Sequence, residues 1–280
     1  HQLGYFAVDR PVLFAPPKDV VNQALIDYWS RYIEIVSDAD EIDRQSDYYG
    51  TNLIYLDYFT MPDGRTLHRD IAHRVVQKQW EDEGRGPLLK ISPEHKAEGR
   101  KILGDHGMND DDWFVALHVR EAGFFDEDTD WSYNRHRNAD IKTYMDAIGE
   151  ITGRGGWVVR LGDPSMTPLP EMERVIDYAL GDFRADWMDL FLIAECRFYL
   201  GVPSGPSSVA VVFGVPSVGT NWFPLGAWPY CEGDIFIHKL LRRKDDGTIL
   251  GIAESLRPPM FTAMEPLFFE AQGLEPLDNS

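Results

Sequence analysis

At 280 residues, with 44% hydrophobic and 26% charged side chains, the chain has the composition of a soluble globular protein of one large or two modest domains. Its formal charge of −19, from 27 basic and 46 acidic residues, excludes an extended nucleic-acid surface, which needs clustered Lys and Arg to neutralise phosphates. The two cysteines make no disulfide framework, and no run nears the roughly 20 apolar residues that span a bilayer.

RPVLFAPP (Arg10 to Pro17) reads as a short strand stopped by paired prolines, and the apolar spacing of the next fifteen residues predicts a helix capped by Asp19. Ser46 to Thr60 reads as extended, and LHRDIAHRVVQKQWEDEG as a helix ending at Gly84. Pro93 to Asp112 reads as a helix closed by Gly104 and then an acidic loop, with the domain boundary placed near it. The expected division is thus 1–108, 109–265 and a tail over 266–280, where Leu267, Phe268 and Phe269 predict a last docking helix.

Beyond the boundary, strands at Phe114–Val119, Trp157–Leu161, Phe198–Val202 and Ser217–Thr220 alternate with helices at Asp140–Ile151, Glu171–Leu180, Asp186–Glu195 and Pro206–Phe213. Such alternation predicts an α/β fold with a parallel sheet covered by helices. Cys196 opens an apolar run and reads as a buried free thiol. No signal-peptide pattern opens the chain, His1 is not an initiator residue, and a cytoplasmic location is the default expectation.

Three strand ends carry polar groups suited to a phosphorylated sugar, and ligands of open α/β sheets collect where strands end and helices begin. In SGPSS, Gly205 is expected at a helix N-cap and Pro206 at the first helical position, with Ser204 and Ser207 beside them. A helix start offers unpaired N–H groups and partial positive charge to a diphosphate. The bland alternative is that the serines only cap the helix. In HVRE, His118 and Arg120 are expected on one strand face, Arg120 holding a leaving phosphate or bridging domains, His118 binding ligand or sitting satisfied in the core. Arg160 and Asp163 repeat the theme at the second strand end. They are read as phosphate and ribose contacts or as a mutual pair.

The long loop from Gly123 to Ile141 exceeds the usual two to six residues and so reads as functional. It supplies Arg135, His136, Arg137 and Asn138, the last as ligand contact or helix cap. Its DEDTD run contains overlapping Asp-x-Asp patterns of the kind that hold a divalent cation against phosphates. In so acidic a protein such a run is ordinarily a solvated stretch, and no metal or other cofactor is expected. Glu121 and Asp126 are the carboxylate candidates for taking an acceptor proton. The GxxxxGK, GxGxxG, paired-His zinc and GxSxG patterns are absent, which disfavours kinase, dehydrogenase, metalloprotease and esterase readings.

HVRE, RNADIKTY, GGWVVRLGDPSMTPLP and DWMDLFLIAECRFYLGVPSGPSSVAVVFGVPSVGTNW together resemble an uncharacterised bacterial glycosyltransferase family of the two-domain GT-B fold, over Trp113 to about Leu225. More distantly, HVR is similar to the H-x-R motif of fucosyltransferases, and Ser204 with Gly205 to the phosphate-binding helix start of heptosyltransferases. The resemblance implies two Rossmann-like domains facing across a cleft, the second binding a nucleotide sugar and the first presenting a glycan or lipid-linked acceptor. It further implies metal-independent, inverting transfer in cell-surface polysaccharide biosynthesis, with Arg120, Ser204 and Gly205 on the donor diphosphate and Asp189 anchoring its helix. Peripheral membrane association is compatible with this; nucleic acid is not an expected partner. Gly123 stands where the fucosyltransferase motif has Asp, so GDP-fucose is not implied. Two other readings remain open: a nucleotide-sugar epimerase or hydrolase, which needs the same cradle without an acceptor, and a non-catalytic nucleotide-sugar or glycan-binding domain.

Overall fold

A computed structural model describes residues 11–49, 58–122, 132–225, 231–263 and 266–279. The chain divides into two compact units, His1–Leu89 and Lys90–Ser280.

In the first unit, β1 (Val12–Phe14) pairs in parallel with β2 (Glu34–Val36), and α1 (Gln23–Trp29) joins them. Asn22 opens α1, its side chain accepting the Leu25 N–H at 2.9 Å, whereas Asp19, the expected cap, ends a preceding 3-10 turn over Pro17–Asp19. α2 (Ala39–Tyr49) takes Ser46 to Tyr49 into a helix, so the extended stretch expected there is described only in β3 (Tyr58–Thr60). β3 forms a hairpin with β4 (Thr66–His68), and α3 (Arg69–Asp82) comes next. Gly84, in the left-handed region at φ 65, lies just beyond it, where the sequence put the stop.

The second unit opens with α4 (Pro93–Asp105), capped by Ser92, whose hydroxyl accepts from His95 N–H at 3.1 Å. The helix runs through Gly104, the expected terminator, and the left-handed residue beyond it is Gly107 at φ 93. α4 sits in this unit because Gly99 leaves room for the buried Phe191 ring and Arg100 lies over the ring of Phe114 at 5.6 Å. The sequence had left this helix on the other side of the boundary.

The elements β5 (Phe114–His118), α5 (Met145–Gly153), β6 (Trp157–Arg160), β7 (Val175–Ile176), α6 (Asp186–Glu195), β8 (Phe198–Gly201), α7 (Gly205–Phe213), β9 (Ser217–Trp222) and β10 (Ile235–His238) succeed it. The six strands form one sheet in the order β10-β9-β8-β5-β6-β7, every pair parallel. This bears out the α/β expectation. The sheet starts in the middle at β5, moves out through β6 and β7, returns beside β5 as β8, and moves out the other way. That is the strand order of a doubly wound dinucleotide fold, and the two halves part between β5 and β8.

All five residues of β5 are buried, as expected of a central parallel strand covered on both faces. Val115, Leu117 and Val119 join Val158, Leu200 and the helical residues Tyr144, Ile148 and Ile151 in one core cluster. By alternation, Phe114, Ala116 and His118 face the opposite layer.

The helix expected over Glu171–Leu180 is instead the short strand β7 and a 3-10 turn, Tyr178–Leu180. Val175 and Ile176 pair with Val158 and Val159, so tertiary pairing overrides the helical spacing. β11 (Leu240–Arg243), α8 (Ile252–Ser255), α9 (Pro266–Ala271) and β12 (Leu274–Leu277) complete the unit, β12 antiparallel to β11. α9 is the expected last helix, and its Phe269 is buried with Phe223, Leu225, Leu241, Leu250 and Leu274. Among the described residues no helix is long and apolar enough to cross a membrane.

Candidate functional site

β5 and β8 end side by side, His118 in register with Gly201. A Cβ at Gly201 would stand 2.3 Å from the His118 carbonyl oxygen and 2.8 Å from the Tyr199 hydroxyl, so only glycine lets the two strand ends meet this closely. The chain then turns through Val202 and Pro203 to Ser204, the N-cap of α7. Gly205, expected at the cap, is the first helical residue and Pro206 the second, one position later than read from sequence. Ser204 caps by a capping box with Ser207, and its Oγ also donates to the Val202 carbonyl at 3.1 Å and meets His118 Nδ1 at 3.1 Å. Ser207 Oγ accepts the Ser204 N–H at 3.3 Å and donates to the Ser204 carbonyl at 2.7 Å. Both serines therefore cap the helix, as the bland reading held. The capping box turns the Ser207 N–H to the Ser204 side chain and Pro206 has no N–H, which leaves the Gly205 N–H of the first turn without a partner inside the helix.

His118 links the helix to the charged residues. Burial lowers its pKa to about 4; the positive charges of Arg160 and Arg120 act in the same direction and the carboxylate of Asp163 against it. Three expected site residues are thus brought within electrostatic reach of one imidazole, and Ser204 touches it. A hydroxyl has one proton, so when Ser204 gives its own to Val202, His118 Nδ1 must donate and Nε2 is left as an acceptor. β5 ends at His118, so Arg120 lies two residues beyond the strand.

Arg160 and Glu121 are placed differently from expectation. Arg160 is fully buried at 0% exposure and pairs not with Asp163 but with Glu121 and Asp177. Its Nη2 donates to Glu121 Oε1 at 2.7 Å, and its Nη1 donates to the Thr167 carbonyl at 2.6 Å and reaches Asp177 at 3.3 Å. Glu121 Oε2 accepts from the Thr167 N–H at 2.9 Å and hydroxyl at 2.7 Å. With no exposed surface, this guanidinium cannot meet a leaving group, and the Glu121 carboxylate is committed rather than open to an acceptor proton. Asp177 and Thr167 were invisible as site residues because the sequence placed Asp177 inside a helix.

Asp163 accepts the Ser165 N–H at 2.9 Å, forming a turn at the end of β6. Asn138 does not cap the next helix. That role belongs to Asp140, which accepts from Lys142 N–H at 2.9 Å, while the Asn138 carbonyl accepts from Lys239 Nζ at 2.7 Å. The buried Asn138 Oδ1 has no partner among the described residues. Asp189 accepts the Tyr178 hydroxyl at 2.7 Å, tying α6 to the turn before it. Asp126 and the DEDTD run lie outside the described residues. Among those described, no three His, Cys, Asp or Glu side chains gather as a metal site. Cys196 is buried, and burial pushes its thiol up to about 12, which leaves it inert as a nucleophile at neutral pH.

No family model matches the chain, and no curated protein matches it. Among solved structures it is similar to a glycosyl transferase family 9 protein from Veillonella parvula DSM 2008, at 16% identity and a TM-score of 0.40, covering 54% of this chain and 42% of that one. It is similar to the E. coli ADP-heptose lps heptosyltransferase II at 14% identity and a TM-score of 0.39, covering 54% and 45%. A third is the iron-containing dodecameric glycosyltransferase TibC from enterotoxigenic E. coli H10407, at 13% identity and a TM-score of 0.39, covering 81% and 62%. The matched region spans less than half the length of the first two.

Proposed function

We propose that the protein is a glycosyltransferase that moves a sugar from a nucleotide-sugar donor to a glycan or lipid-linked acceptor. The observation that carries this reading is the contact of His118 with Ser204 at the start of α7, at the point where the sheet's two halves part and within electrostatic reach of Arg120. A diphosphate set there gains the Gly205 amide at the positive end of α7 and a guanidinium that stays charged when desolvated. Pro206 has no N–H and the Ser207 N–H is turned to Ser204 in the capping box, so Gly205 supplies the amide, with Ser204 and His118 beside it.

In the transfer, the bond from the anomeric carbon to the diphosphate oxygen breaks and its electron pair leaves on the diphosphate. The acceptor oxygen bonds to the same carbon from the opposite face, inverting it, and its proton passes to a carboxylate. Arg120 and the helix start meet the charge as it develops, the place where fixed dipoles lower a barrier most. Because a guanidinium and the helix start neutralise the leaving group, the transfer needs no divalent cation. Asp126 is the base in this proposal, Glu121 being engaged elsewhere. Asp163 and Asn138 flank the donor on the ribose side. The GT-B type, in which a separate domain brings the acceptor, belongs to the same proposal and is supported by the doubly wound sheet.

The test is a thermal-shift screen of the full chain and its Arg120→Ala variant against UDP, GDP, CMP, ADP and dTDP sugars. One nucleotide class should raise the Tm of the parent by roughly 5 °C at a hundredfold excess over Kd. The variant should respond far less. An equal response in both proteins removes Arg120 from the site, and no response to any nucleotide sugar ends the reading.

A further inference from the structure

Glu121 comes directly after Arg120, and both of its carboxylate oxygens are gripped, one by Arg160 and the other by the amide and hydroxyl of Thr167. Arg160 is held in turn by Asp177 and the Thr167 carbonyl. On the near side, the Arg120 carbonyl accepts the Ala139 N–H at 3.0 Å. The Arg120 carbonyl and Glu121 both follow the Arg120 Cα, and two residues before it the His118 carbonyl accepts the Val202 N–H at 3.1 Å, so the chain is held on both sides of Arg120. Buried ion pairs of this kind add little net stability compared with apolar packing, and their best-attested use is to fix geometry.

We propose that Glu121 is a positioning residue: clamped by Arg160 and Thr167, it fixes the stretch of backbone from which the Arg120 guanidinium meets a diphosphate. This deepens the glycosyl-transfer reading and rests on it. Preorganised cations bind anions more tightly because less conformational freedom is lost on binding. The sign of the effect separates positioning from plain electrostatics. Glu121→Gln removes a negative charge beside an anion site, which by Coulomb attraction alone tightens anion binding. Loss of positioning weakens it.

The experiment is calorimetric titration of the full chain with inorganic pyrophosphate, for the parent, Arg120→Ala, Glu121→Gln, Thr167→Val and the doubles of each of the last two with Arg120→Ala. Glu121→Gln should weaken pyrophosphate roughly tenfold and Thr167→Val about two- to threefold, the scale of one lost hydrogen bond to a charged or neutral donor. In the Arg120→Ala background neither should weaken it further, because positioning acts only through that side chain. Unchanged or tighter binding by Glu121→Gln overturns the proposal, as does a weakening that persists without Arg120. Should Glu121→Gln fail to fold, the Thr167→Val pair decides on the same criteria. Parent-like affinity of Arg120→Ala defeats the donor-binding role of Arg120 itself, a result distinct from failure of the clamp, and no binding by the parent overturns both.

Discussion

His118 is the residue on which the candidate site turns, and its environment makes a pH prediction with a definite sign. It is 7% exposed, and burial first, then the charge of Arg160, holds its folded pKa near 4 against the ordinary 6.5. Between those values the unfolded chain takes up a proton that the folded chain refuses, so stability falls as pH drops from 6.5 towards 4. By pH 5 the loss should be about 2 kcal/mol, since each unit of difference is worth about 1.4 kcal/mol. Urea denaturation of the parent and His118→Asn at pH 7 and pH 5 checks this: the parent should lose more stability than the variant. Equal losses would show that other groups carry the acid sensitivity. HVR at a strand end was legible in the sequence because a buried apolar run leads straight into it. The bond from His118 to Ser204 was not, since the two are far apart in the chain and meet only through the register of β5 with β8.

Elements with continuous apolar sequence were readable. β5, β6, β8, α6 and α7 lie within a residue or two of their expected spans because burial on both faces leaves one plausible use for such runs. β7 was missed because EMERVIDYAL has helical spacing while its pairing partner, Val158 and Val159, is distant in sequence. With it went Asp177 and the clamp on Arg160. Close packing between elements was equally hidden, and Gly99 shows its size. In a helix interior, glycine to alanine ordinarily stabilises by about 1 kcal/mol. Here a Cβ would stand 2.4 Å from the ring of Phe191, which is fully buried on α6 and cannot swing away. Overpacking of that kind costs about 1–3 kcal/mol, so the clash should win and Gly99→Ala should lower the Tm. A variant as stable as the parent would mean that α4 and α6 pack less closely than they do here.

Across the whole second unit, the end of the chain is tied back to the loop between β5 and α5. The docking of α9 was legible from three clustered apolar residues, whereas the bonds made beyond it were not, because LEPLDNS is short and polar at its end. β12 pairs with β11, and beyond it Asp278 accepts the Asp140 N–H at 2.8 Å and pairs with Lys239, whose side chain is 5% exposed. Lys239 also donates to the Asn138 carbonyl at 2.7 Å, so one buried ammonium joins β10, the end of the first βα loop and the last residues of the chain. Removing either member of such a pair is not symmetric. Asp278→Ala leaves an ammonium buried without its counterion, which should cost about 3–5 kcal/mol. Lys239→Met removes the buried charge, keeps most of the apolar stem, and leaves a carboxylate that is 22% exposed and still bonded to the Asp140 amide. Urea midpoints should therefore fall further for Asp278→Ala than for Lys239→Met. The reverse order would mean that Lys239 reaches water when Asp278 is gone, and that the end of the chain is held by the pairing of β12 alone.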